Sequence, residues 1–88
     1  MRVQAEISLY PLRTMELSPA IARFRKVLEG GQVKIVEGPM STIIGGGQEE
    51  VFHALQEAFA AVSAEFEVVL SCRISNACPE AAGGICRL

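Results

Sequence analysis

Glu6, Ser8 and Tyr10 stand at every second position, so an extended backbone sends a carboxylate, a hydroxyl and a phenol out of one face. Ser71 and Arg73 repeat that spacing far along the chain. If the two segments pair, one sheet face carries acceptors, donors and a cation, a set able to fix the polar edge of a small ligand. Simpler uses of the same face are a solvated surface with a cross-strand Glu6–Arg73 pair, or a sheet-to-sheet contact between subunits. Ser41 and Thr42 are adjacent and point to opposite faces of a strand, so one of them joins a cavity on either side.

Other chemistry-bearing residues read more plainly. His53 lies between Phe52 and Ala54 with no Ser, Cys or Asp beside it in sequence, and is expected on a helix surface rather than as a catalytic base. Cys72 falls in a strand pattern, on its core face. Cys78 and Cys86 are spaced more widely than zinc-knuckle ligands, so no metal site is expected. Gly45-Gly46-Gly47 precedes a helix, where backbone N–H groups can cradle phosphate. The Lys-Ser/Thr of a P-loop is missing, and Glu49 and Glu50 put carboxylates where the anion would rest, so a turn needing positive φ is the expected reading.

Composition narrows the classes. With 88 residues the chain is one small domain, which buries a modest share of its surface and is marginal as a monomer. Half the residues are hydrophobic and only 20% are charged, more apolar surface than one thin core hides, so self-association is expected. A net charge of −2 without runs of like charge offers nothing to nucleic acid or an anionic membrane. The start of the sequence enters a strand pattern at Arg2 and Val3 with no signal-type apolar region, and three cysteines make no disulfide framework; a cytoplasmic location with reduced thiols is expected.

The elements that must position these groups follow from periodicity. Val3, Ala5, Ile7 and Leu9 alternate with the polar set up to Pro11, a half-buried strand. Ser18-Pro19 reads as a helix N-cap and first-turn proline, with Ile21, Phe24 and Leu28 as the apolar stripe and Gly30-Gly31 as the stop. Residues 33–37 and 40–44 form β runs around Gly38-Pro39 and should pair as a hairpin, the second ending at the three glycines. Phe52, Leu55, Phe59 and Val62 give a second helix its apolar stripe, and residues 66–75 a last strand with Val68, Leu70, Cys72 and Ile74 on one side.

The order β-α-β-β-α-β, with two one-sided helices, specifies an α+β ferredoxin-like sandwich: both helices on one face of a four-stranded antiparallel sheet. Right-handed crossovers put the first and third strands at the centre, with the fourth beside the first. Residues 1–75 make this domain, and 76–88 a loop or extended tail whose Ile85 and Leu88 are candidates for docking on a neighbour. An RNA-reading sheet would need exposed aromatics and basic residues on the first and third strands, and a metallochaperone of this shape a Cys-x-x-Cys in the first loop; neither is present.

Residues 5–12, Ala-Glu-Ile-Ser-Leu-Tyr-Pro-Leu, and residues 38–44, Gly-Pro-Met-Ser-Thr-Ile-Ile, resemble the two signatures of the YkoF-like thiamine-binding proteins, over roughly residues 3–75. The resemblance implies a ferredoxin-like domain that dimerises by joining sheets, often into tetramers, and that in some members binds thiamine (vitamin B1) or its hydroxymethylpyrimidine half. Carriage, sensing or supply to a transporter is the implied role. It points to Ser8 and Tyr10 from the first signature and Ser41 and Thr42 from the second as ligand contacts, with Glu6 as partner for an aminopyrimidine. A thiazolium cation would favour an acidic or aromatic neighbour, for which Glu6, Glu37 and Tyr10 are available.

The chain therefore reads as a non-enzymatic, small-molecule-binding homodimer or homotetramer that needs no cofactor. A different class of reading is an oligomeric structural or regulatory interaction domain without a small ligand. A third is a redox- or metal-responsive module using Cys78 and Cys86.

Overall fold

The structure is a computed structural model that describes residues 1–38 and 41–77. Its elements are β1 (Arg2–Leu12), α1 (Ser18–Glu29), β2 (Lys34–Glu37), β3 (Thr42–Gly47), α2 (Gln48–Ser63) and β4 (Glu67–Ser75). They build the ferredoxin-like sandwich expected from sequence: one antiparallel sheet in the order β2-β3-β1-β4, with the two helices packed on it and on each other. The tail expected over 76–88, with Cys78, Cys86, Ile85 and Leu88, lies outside the described residues from position 78 onward, as do Pro39 and Met40 of the expected hairpin.

Strand β1 is central because its alternation lets one row of side chains form the core. Ala5 and Ile7 are fully or almost fully buried, and Ile44 of β3 sits opposite Ala5 with no exposed surface. Phe24 and Leu28 of α1 and Val51, Ala54, Ala58 and Val62 of α2 close over this row in one contiguous cluster.

Both helix stripes are rotated from the sequence expectation. On α2, Phe52 and Phe59 are 51% and 40% exposed, while Val51, Ala54, Leu55, Ala58 and Val62 face inward. On α1, Ile21 lies outward and Ala20 takes the buried place beside Phe24 and Leu28. The cause is the closeness of the two helices. A Cβ added at Gly31, just past α1, would stand 3.2 Å from the Cβ of Ala54. Where backbones approach this closely, alanine and glycine fit and phenylalanine does not.

Two helix starts also differ. Ser18 is the first helical residue rather than the cap; Leu17 occupies the cap position, no side chain caps it, and Pro19 sits in the first turn as expected. The three glycines do not turn the chain. They are the end of β3, paired with Gln4, Val3 and Arg2, and Gly47 has an ordinary extended conformation with φ −67°. A Cβ at Gly46 would make only ordinary contacts, 3.4 Å from the carbonyl oxygen of Gln32 and 3.7 Å from Val33. Helix α2 follows with no intervening loop, its first N–H, from Gln48, donating to the carbonyl of Met1 at 2.9 Å.

The rotated α2 stripe has a measurable consequence. In chemical denaturation, Leu55→Ala should lose about 2–5 kcal/mol as a buried leucine does, and Phe59→Ala no more than about 1 kcal/mol, the scale of a surface change. Comparable losses would restore the phenylalanine stripe.

Candidate functional site

The sheet is asymmetric around β1. Strand β4 follows β1 from Gln4 to Leu12, but β3 begins at Thr42, opposite Ile7. Ser8 to Leu12 thus have a strand on one side and, among the described residues, none on the other. Beside this gap the Gly38 N–H donates to the Ser41 carbonyl at 2.8 Å, and both residues border it. Helix α1 closes it from above the sheet.

A cavity of about 300 Å³ results. Its apolar wall is Ile7, Leu9, Phe24 and Leu28, with the half-exposed Ile21 at the edge. The polar residues of its lining are Ser8, Tyr10, Ser41 and Thr42, and the charged ones Arg25 and Glu37. A flat apolar slot with a few convergent polar groups is the usual make-up of a small-molecule site. Three other depressions, of about 420, 580 and 630 Å³, are larger but lack this combination. Among the described residues, the first lies where the end of β1 meets the α2–β4 turn, the second beside Gly30, Gly31 and His53, and the third between α1 and α2 around Arg23, Lys26 and Ala61.

Four of the five residues singled out from sequence therefore line one cavity. Ser41 and Thr42 both border it, at the end of β3. The fifth, Glu6, stands behind them. The Ser41 hydroxyl donates to Glu6 Oε2 at 2.9 Å, and Arg73, directly opposite Glu6 in the register, brings its guanidinium to 3.9 Å from Oε1. The Glu6 carboxylate thus orients Ser41 instead of lining the cavity itself. The polar face around it is only partly wet, since Gln4 and Ile43 are buried there.

Arg25 is the group that sequence reading passed over. It is held by Glu29 one turn along α1, Nε to Oε2 at 2.9 Å, and by Glu37 of β2. Hydrogen bonds to Glu29 first, then Glu37, push the guanidinium above its already high range, so it stays charged. The Arg25–Glu29 spacing is visible in the sequence as an i,i+4 pair; the approach of Glu37 exists only once β2 is placed beside α1.

Residues 5–77 match a family model described as thiamine-binding protein. The chain belongs to the thiamine-binding protein family. Solved structures agree on the shape. A hypothetical protein from Methanocaldococcus jannaschii is 27% identical with a TM-score of 0.76, over 85% of this chain and 79% of its own. A Streptococcus pneumoniae protein is 22% identical with a TM-score of 0.79, over 85% and 86%. A Thermotoga maritima protein proposed to act in thiamine biosynthesis or salvage is 24% identical with a TM-score of 0.77, over 98% and 90%. A comparison with curated protein sequences finds no significant match.

In this member of the thiamine-binding family, other titratable groups lie outside the cavity. His53 is exposed on α2, its Nε2 3.8 Å from Glu57. The Glu50 carboxylate folds back over Gly47 and occupies the N-terminus of α2, where an anion would otherwise sit. Among the described residues no group of three or more His, Cys, Asp or Glu side chains is arranged to hold a metal ion.

Cys72 sits opposite Ile7 on the helix-facing side of β4, as the alternation requires, yet it is exposed because β4 is the edge strand. Its surroundings still desolvate the sulfur enough to push the thiol above its ordinary value. The thiolate is the reactive form, so a raised pKa means less of it near neutrality. In a Cys78→Ser, Cys86→Ser background, iodoacetamide should modify Cys72 more slowly than free cysteine at pH 7.5, with the rate still climbing at pH 9. Alkylation at or above the rate of free cysteine would mark an activated thiol.

Proposed function

We propose that the protein is a non-enzymatic binding protein for thiamine or its hydroxymethylpyrimidine half, holding the ligand in the cavity between β1, β3 and α1. One observation carries this reading: residues of both signature segments, Ser8 and Tyr10 from one and Ser41 and Thr42 from the other, line a single cavity with an apolar wall. The family membership and the naming of the Thermotoga maritima relative point the same way.

In this reading the aminopyrimidine lies against Phe24 and Leu28. Thr42 and Ser8 offer donors and acceptors to its polar edge, and Glu6 keeps Ser41 turned in register. The protein works in the cytoplasm as a homodimer or homotetramer. Strand β4 supports the assembly: it is a nine-residue edge with Val69 and Ile74 exposed, and an unpaired edge of this length invites a second strand.

That same edge favours a second reading, an interaction domain whose assembly is its function. In that case substitutions at Glu6 or Arg73 dissociate the oligomer and no small ligand binds.

Isothermal titration with thiamine, hydroxymethylpyrimidine and thiamine phosphate, beside light scattering, separates the two. Saturable binding at one site per subunit is expected, and Thr42→Val should weaken it by about 2- to 10-fold, the loss of one hydrogen bond. Full affinity in Thr42→Val would count against this site, and no binding of any of the three by a stable oligomer would favour the interaction domain.

A further inference from the structure

The charged groups of the cavity are unequal in number, and their arrangement suggests how a cation is chosen. Arg25 and Glu37 are the charged residues in the cavity's described lining, and Arg25 is shared with Glu29 outside it. One guanidinium thus serves two carboxylates, leaving the trio with a net charge of −1. All three side chains are about half exposed: 46% for Arg25, 52% for Glu29 and 47% for Glu37.

Resting on the thiamine reading above, we propose that the Arg25–Glu37 pair is an exchangeable gate that selects the cationic ligand. The ligand's positive ring takes the place of Arg25 at Glu37, while Arg25 keeps its bond to Glu29.

Three features make the exchange physically easy. An exposed ion pair contributes little and is screened by solvent, so releasing Arg25 from Glu37 costs little. Arg25 does not become an unpaired charge, because its Nε already bonds Glu29 at 2.9 Å and its remaining N–H groups meet water. The incoming cation gains a carboxylate and lies near the ring of Phe24 in the same cavity, a second source of attraction for positive charge. A neutral pyrimidine gains none of this, and a phosphate ester brings its negative charge toward Glu37.

Titrations of the full chain with thiamine and with hydroxymethylpyrimidine test the gate through the ratio of their affinities. Glu37→Gln should weaken thiamine by about tenfold, the removal of a paired charge, and leave hydroxymethylpyrimidine unchanged. Arg25→Gln should tighten thiamine by about 2- to 5-fold, since Glu37 is then unoccupied. Arg25 also ties α1 to β2, so Glu29→Gln provides an independent variant: Arg25 is left with Glu37 alone, and thiamine should weaken while the pyrimidine does not. Raising the salt should shrink the thiamine advantage in the wild type.

An unchanged affinity ratio in Glu37→Gln and Glu29→Gln overturns the gate while leaving the thiamine reading standing. Weaker thiamine binding in a folded Arg25→Gln overturns it too, because Arg25 would then be holding the ligand. Failure of the wild type to bind either compound overturns the thiamine reading, and the gate with it.

Discussion

Everything at the site depends on a mismatch of strand lengths. β1 has eleven residues and β3 six, and their pairing stops where Ile7 meets Thr42. A sheet that ended flush would have filled the gap with backbone and left no concavity. Because β1 continues, its last residues keep the rigidity of a strand through pairing with β4, yet present one unflanked side. Hydroxyls placed there are held as firmly as core residues while remaining reachable. A loop could offer the same groups, but not in a fixed geometry.

Burial supports this arrangement from the other end. The Val3-Ala5-Ile7 row anchors β1 against both helices, and Ile44 and Val51 lock β3 and the start of α2 into the same cluster. With β3 running into α2 without a loop, the strand cannot slide to lengthen its pairing with β1.

The fold was largely legible in the sequence, since element order and one-sided hydrophobicity leave few topologies, and the Glu6–Arg73 and Ser8–Ser71 registers follow from it. What escaped was local. Phe52 and Phe59 attract any reading based on hydrophobicity, but the contact between α1 and α2 is decided by how little room Gly31 and Ala54 leave. The three glycines look like a turn because glycine usually marks one; here they are the last paired residues of β3. At the site, Ser8, Tyr10, Ser41 and Thr42 stood out because two short polar-alternating segments carry them, and these segments border the cavity. Arg25 did not, because its role arises from the placement of β2, which no pattern within α1 encodes.

The central strand also carries a constraint of timing. Within this domain β1 is made before β4, its longer partner, so Gln4 and Ser75 must find one another across nearly the whole domain. Contacts of such sequence separation close slowly, because chain entropy is spent before they form. During synthesis the newborn chain therefore carries an apolar strand, from Val3 to Leu9, with one edge open until β4 arrives. Its polar alternate row, Gln4, Glu6 and Ser8, then keeps one side of the waiting strand soluble, a task performed before any ligand is met.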